Sequence, residues 1–129
     1  MKAKQLIPEL LVEDMSRTLR FYDKILGFKP EIVFPDKNPV FAQIGKDEIH
    51  IMLYKRSEFE KEIPKLKKIP MGGSVLIYIK AEKLEKFYFL LKNKINIIQS
   101  LHKTDYGSLE FTMEDCNGYL ICFSEQISK

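Results

Sequence analysis

Cysteine is scarce in this sequence. Cys116 and Cys122 are the only two, too few for a disulfide framework. Long apolar runs are missing as well: no segment approaches the ~20 residues that a membrane-spanning helix requires. No basic start followed by an apolar core opens the chain in the manner of a secretory signal. The expectation is a cytoplasmic protein with no membrane partner. A large excess of charge of one sign is also lacking, since 21 Lys and Arg stand against 18 Asp and Glu, a net +3. That balance is too mild for a nucleic-acid footprint. The densest basic run, PKLKKIP (residues 64–70), lies between prolines and has no interleaved aromatics to stack on bases. It reads as a solvated loop.

What is present is a core. Hydrophobic residues make up 45% and aromatic residues 12% of 129 positions, which supports one compact domain or two joined halves, each marginal alone. LIPELLV (residues 6–12) reads as a strand. Asp14 or Ser16 then caps a helix over residues 16–26, with Leu19, Tyr22 and Leu26 at helical spacing, and Gly27 stops it. Strand-like runs follow at 29–34, 40–44 and 48–55, separated by PDKNP and GKD, and a short helix is expected at 57–63.

After Gly72 and Gly73 the order begins again. SVLIYIK (residues 74–80) reads as a strand, 82–94 as a helix, and 97–103, 109–113 and 119–125 as strands. The two helix cores, LRFYDKIL and EKFYFLLK, share Phe-Tyr at one register. A repeat of this kind points to duplication of one unit. The expected fold class is α+β. Two βαβββ modules, residues 5–56 and 72–126, are joined by a linker at 57–71 within a single domain 1–129, and they pair within or between chains to enclose a cleft between free sheet faces.

The stretch IPELLVEDMSRTLRFYDKILGFKP resembles the opening of vicinal oxygen chelate proteins, with a strand, an acidic residue, a helix bearing Phe-Tyr, and Leu-Gly-Phe. EFTMEDCNGYLICFSE resembles their closing stretch, with Cys116 replacing the usual proline of the turn. The resemblance implies paired βαβββ modules around a cleft, usually in a homodimer. It spans glyoxalases, extradiol dioxygenases, epimerases, fosfomycin-resistance transferases and metal-free bleomycin-resistance binding proteins, so fold alone does not choose a chemistry.

In metal-dependent members the ligands lie on the first and last strands of each module. The matching positions here are Ile7, His50 or Met52, Ser74 and Cys122. A divalent metal wants convergent nitrogen or oxygen donors, and this set offers one imidazole and one thiol. No cofactor is therefore expected, with His50 the one candidate metal ligand. A zinc, nickel, iron or manganese ion belongs to the alternative of an atypical metal shell.

Strand alternation turns His50, Met52 and Tyr54 to one face, opposite Ile49, Ile51 and Leu53. A histidine, a thioether and a phenol together suit a flat aromatic ligand, although they equally suit a core or a dimer contact. Ser74 and Tyr78 face the cleft from the second module. Glu9, among apolar neighbours, is a candidate base if desolvation raises its pKa, or else it pairs with a lysine. Cys122 is either a cleft residue or a small buried apolar one. Glu110 and Glu125 read as solvated strand positions, His102 as a residue facing water before a turn, and Tyr106 and Gly107 as a loop at the cleft mouth.

The function expected from this set is metal-free binding of a small molecule in a homodimer cleft, of the bleomycin-resistance type. The net positive charge favours a neutral or anionic aromatic ligand. The alternatives are a metal-dependent lyase or dioxygenase, a metal-free isomerase using Glu9 or His50 as its base, or a protein-binding module with a filled cleft.

Overall fold

A computed structural model describes residues 1–127. The chain forms two compact units, Met1–Ile69 and Pro70–Lys129. The first holds β1 (Glu9–Val12), α1 (Met15–Phe21), β2 (Lys29–Phe34), β3 (Phe41–Lys46), β4 (Ile49–Lys55) and α2 (Arg56–Glu62). The second holds β5 (Leu76–Lys80), α3 (Leu84–Leu91), β6 (Asn96–Lys103), β7 (Ser108–Glu114) and β8 (Leu120–Gln126). The sheets repeat one topology, β1-β4-β3-β2 and β5-β8-β7-β6. In each, the strand before the helix lies parallel to the last strand, and the other pairs are antiparallel. Among the described residues no helix is long and apolar enough to cross a membrane.

Local chemistry sets the boundaries. The Asp14 carboxylate caps α1 by accepting from the Arg17 amide at 3.0 Å. The expected helix over 16–26 changes character partway, because Tyr22–Leu26 widens into a π turn. Gly27 then ends it at φ 79, a conformation that a side chain resists. The first strand begins at Glu9 rather than Leu6. Pro8 has no N–H for the ladder, though its carbonyl still accepts from the Met52 amide at 2.9 Å. The fifth strand begins at Leu76 rather than Ser74, since Ser74 sits in a turn at φ 64.

Alternation then builds the cores. In the first unit Leu10, Val12, Ala42, Ile44, Ile51 and Leu53 are buried on one sheet face, and Tyr22, Leu26 and Phe28 are buried with them. In the second, Phe111, Met113, Ile121 and Phe123 form the buried face, with Phe111 and Phe123 stacked at 5.2 Å. Phe87 and Tyr88 of α3 pack on this pair. The shared Phe-Tyr of the two helix cores thus has a packing basis: Tyr22 and Tyr88 are each buried. The opposite faces of the two sheets carry the polar and aromatic candidates.

Candidate functional site

On the open face of the first sheet, Glu9 pairs in register with Met52 and Leu11 with Tyr54. His50, Met52 and Tyr54 therefore share one face, as alternation requires. Their surroundings differ. Tyr54 packs on Phe59 of α2, with ring centroids 4.5 Å apart, and edge-on to Phe41 at 6.1 Å, and its hydroxyl donates to Glu62. It belongs to a small aromatic cluster. Glu9 stands beside that cluster, where burial first, and the charge of Glu62 second, raise its pKa.

His50 is tied elsewhere. Its Nδ1 lies 2.8 Å from Glu31 Oε1, and Gln43 Nε2 donates to the same oxygen at 3.2 Å. The hydrogen bond from His50, then that from Gln43, lowers the Glu31 pKa. Gly45 makes room for this cluster, because a Cβ there would stand 2.5 Å from Glu31 Oε2. With Nδ1–H donated to Glu31, the neutral ring presents Nε2 as an acceptor.

The second sheet carries a denser constellation. Tyr78 of β5 pairs in register with Cys122 of β8, and Glu110 of β7 with Ser124 of β8. Both rows lie opposite Phe111 and Phe123, on the face away from α3. Glu110, expected to be solvated, is 5% exposed. Its Oε2 accepts from Tyr78 (2.5 Å), Ser124 (2.8 Å) and Ser108 (3.0 Å), and its Oε1 from Tyr106 (3.0 Å) and the Cys122 thiol (3.7 Å). Burial opposes ionisation, but the hydroxyls of Tyr78, Ser124, Tyr106 and Ser108 outweigh it and bring the carboxyl down to about 2. Glu110 makes none of the ion pairs found among the described residues.

These partners open onto a groove of about 730 Å³, within the size range of small-molecule sites. Tyr78, Tyr106, Ser108 and Ser124 all line it, and Lys80, Glu82, Lys83 and Glu125 contribute its charged lining. Glu125, also expected to be solvated, accepts from the backbone amides of Lys83 and Leu84 at 3.0 Å each and so caps α3. His102 is half-buried on β6, in register with Glu110, and its Nδ1 lies 2.8 Å from the Ser100 carbonyl.

Of the sequence candidates, the structure joins Glu9 with Met52 and Tyr78 with Cys122 as direct strand partners. Ser74 stands apart in an exposed turn. The residues missed are Glu110, Ser108 and Ser124. Tyr106, a loop residue by its sequence context, gains a partner in the Glu110 carboxylate.

The metal positions implied by the resemblance do not fit a divalent ion. Ile7 has no donor and Met52 offers only a thioether. Burial, and after it the neighbouring Glu110 charge, raises the Cys122 thiol pKa, whereas a metal binds the thiolate. His50 keeps Nε2 open while Nδ1 meets Glu31, so it is the one nitrogen donor of the set, and one such donor does not make a shell. Among the described residues no three His, Cys, Asp or Glu side chains gather in a metal-binding group.

A family model described as Glyoxalase/Bleomycin resistance protein/Dioxygenase superfamily matches residues 5–123. Comparison with curated protein sequences returned no match. Among solved structures, a protein of unknown function from Agrobacterium tumefaciens str. C58 superposes with TM-score 0.81 at 18% identity, covering 98% of this chain and 97% of that one. A glyoxalase/bleomycin resistance protein/dioxygenase from Nocardioides gives 0.77 at 15% identity, covering 99% and 87%. A glyoxalase-related enzyme from Clostridium phytofermentans gives 0.73 at 18% identity, covering 98% of each. At these identities the likeness is one of fold.

Proposed function

The chain belongs to the Glyoxalase/Bleomycin resistance protein/Dioxygenase superfamily, and from that premise we propose that it is a small-molecule-binding protein that works without a metal, holding an aromatic ligand in the groove beside Tyr78 and Tyr106. The observation that carries this proposal is the convergence of five donors on Glu110 beside the groove. A carboxyl near 2 is a weak proton acceptor, far from the pKa that general-base chemistry at neutral pH favours. Its lone pairs are also taken, since five donors converge on the roughly four sites a carboxylate offers. Such a group shapes a binding surface and does not abstract protons. Tyr78 and Tyr106, 47% and 72% exposed, supply ring faces for an aromatic partner.

The proposal includes a homodimer in the cytoplasm. Leu76 and Tyr78 on the open face, at 53% and 47% exposure, are apolar surface that a second copy would cover. The test is a thermal-shift screen of small aromatic compounds with a chelator present. A ligand at a hundred times its Kd stabilises by about 2.7 kcal/mol. Absence of any stabilisation across a broad set would overturn the proposal.

A second reading, a metal-free isomerase, is favoured by one observation. The 2.8 Å contact between His50 and Glu31 orients the imidazole as general bases are oriented. Glu9, with its raised pKa, is the other candidate base. Solvent deuterium incorporation into a carbon acid, lost in His50→Ala, would establish it.

A further inference from the structure

Each of the four hydroxyls around Glu110 has a single proton. Tyr78, Tyr106, Ser108 and Ser124 all direct that proton at the buried carboxylate. Thr104 lies against this group: its Oγ1 is 2.8 Å from Ser108 Oγ, donates to the Ser108 carbonyl at 3.3 Å and accepts from the Ser108 amide at 3.1 Å. What remains of these hydroxyls is lone pairs, and the same four side chains line the groove. The buried anion thus turns the hydroxyls in one sense, and the exposed Tyr78 and Tyr106 oxygens, with Ser108 and Ser124 buried behind them, face the groove as acceptors.

Charge points the same way. Lys80 and Lys83 on the lining are balanced by Glu82 and Glu125, and Glu110 behind the wall makes none of the ion pairs found among the described residues. The rings of Tyr78 and Tyr106 present faces that attract cations. An acceptor wall backed by an anion and flanked by aromatic rings selects N–H donors carrying positive charge, whatever the net charge of the whole chain.

We propose that this groove takes an organic cation bearing N–H donors, an amidinium, guanidinium or primary ammonium on an aromatic frame. The assignment rests on the small-molecule reading above and departs from it only in the sign of the ligand, which the net charge of +3 had pointed toward neutral or anionic.

Three probes share one ring and differ in charge and donors: benzamidine, benzamide and benzoate. Titrated calorimetrically and by amide NMR into the full chain at neutral pH, benzamidinium is expected to bind at least about tenfold more tightly than benzoate, with benzamide between. The amide shifts are expected at Tyr78, Tyr106 and Ser124. In Glu110→Gln the carboxamide must donate as well as accept, so the hydroxyls turn and the preference for the cation is expected to vanish. Tyr106→Phe serves where that variant does not fold; it removes one exposed acceptor and is expected to weaken benzamidinium several-fold while leaving benzoate unchanged. The assignment is overturned if benzoate binds as tightly as benzamidinium, if the preference survives Glu110→Gln, or if none of the three binds at millimolar concentration. An anionic ligand found in this groove by the thermal screen would overturn the cation assignment while leaving small-molecule binding in place. A screen with no ligand at all removes both.

Discussion

Acid should weaken this protein, and the largest loss falls on Glu110. Glu110 has a folded-state pKa of about 2 against an ordinary 4.5. The folded value is the lower one, so the stability it contributes is fully present above about pH 4.5 and is lost as pH falls toward 2. At ~1.4 kcal/mol per pKa unit the ceiling is roughly 3 kcal/mol. Two of the four hydroxyl donors belong to tyrosines that are 47% and 72% exposed, whose share water screens, so a figure on the order of 2 kcal/mol is expected. The assay is urea denaturation of the wild type and Glu110→Gln from about pH 6 to about pH 2.5. Whatever the variant's overall stability, the wild-type advantage should shrink by that amount across the window. A difference that does not change with pH, or a carboxyl resonance titrating near 4.5, would refute the account of the hydroxyl cluster.

Other perturbations test its surroundings. Phe111→Ala removes a fully buried ring stacked between Phe123 and the α3 aromatics and should destabilise by about 3–5 kcal/mol in chemical denaturation. Gly72→Ala should destabilise by more than about 1 kcal/mol, because φ is 78 and the added Cβ would meet the Gly118 carbonyl oxygen at 2.2 Å. Gly45→Ala should leave stability nearly unchanged but displace the Glu31 carboxylate, which the His50 ring resonances in NMR would report; unchanged resonances would contradict the packing described. Glu125→Ala removes the acceptor of two α3 amides and should lower stability by about 1 kcal/mol, with fraying of α3 in hydrogen exchange.

Much of the scaffold is written locally. Asp14 and Gly27 mark the ends of the first helix through side-chain capping and a left-handed residue, and both operate within a few positions of the chain. The turn before β8 is equally local: Asp115 Oδ1 accepts from the Asn117 and Tyr119 amides, and Gly118 adopts φ 91. Alternation placed His50, Met52 and Tyr54 together because period two depends on nothing beyond the strand. Ser74 was misplaced for a related reason. Its apolar successors extend a strand pattern backwards through a turn that only the backbone reveals.

The Glu110 cluster was illegible because nothing in SLEFTME separates a buried carboxylate from a solvated one. Burial there depends on partners at 78, 106, 108 and 124, brought together by the β5-β8-β7 order. A carboxylate alternating with apolar residues normally faces water. Here hydroxyls replace that water, two from neighbouring strands (Tyr78 and Ser124) and two from just upstream (Tyr106 and Ser108), and no spacing rule in the sequence encodes the set. Net charge is equally silent on the site, since a ligand meets the local field of the groove and not the sum over the chain.

Amide NMR of the full chain titrated with benzamidine, with and without a chelator, tests the central claim most directly. The account predicts saturable shifts centred on Tyr78, Tyr106, Ser108 and Ser124 that are the same in both conditions. Binding that vanishes with the chelator and returns with one equivalent of a divalent ion would contradict it.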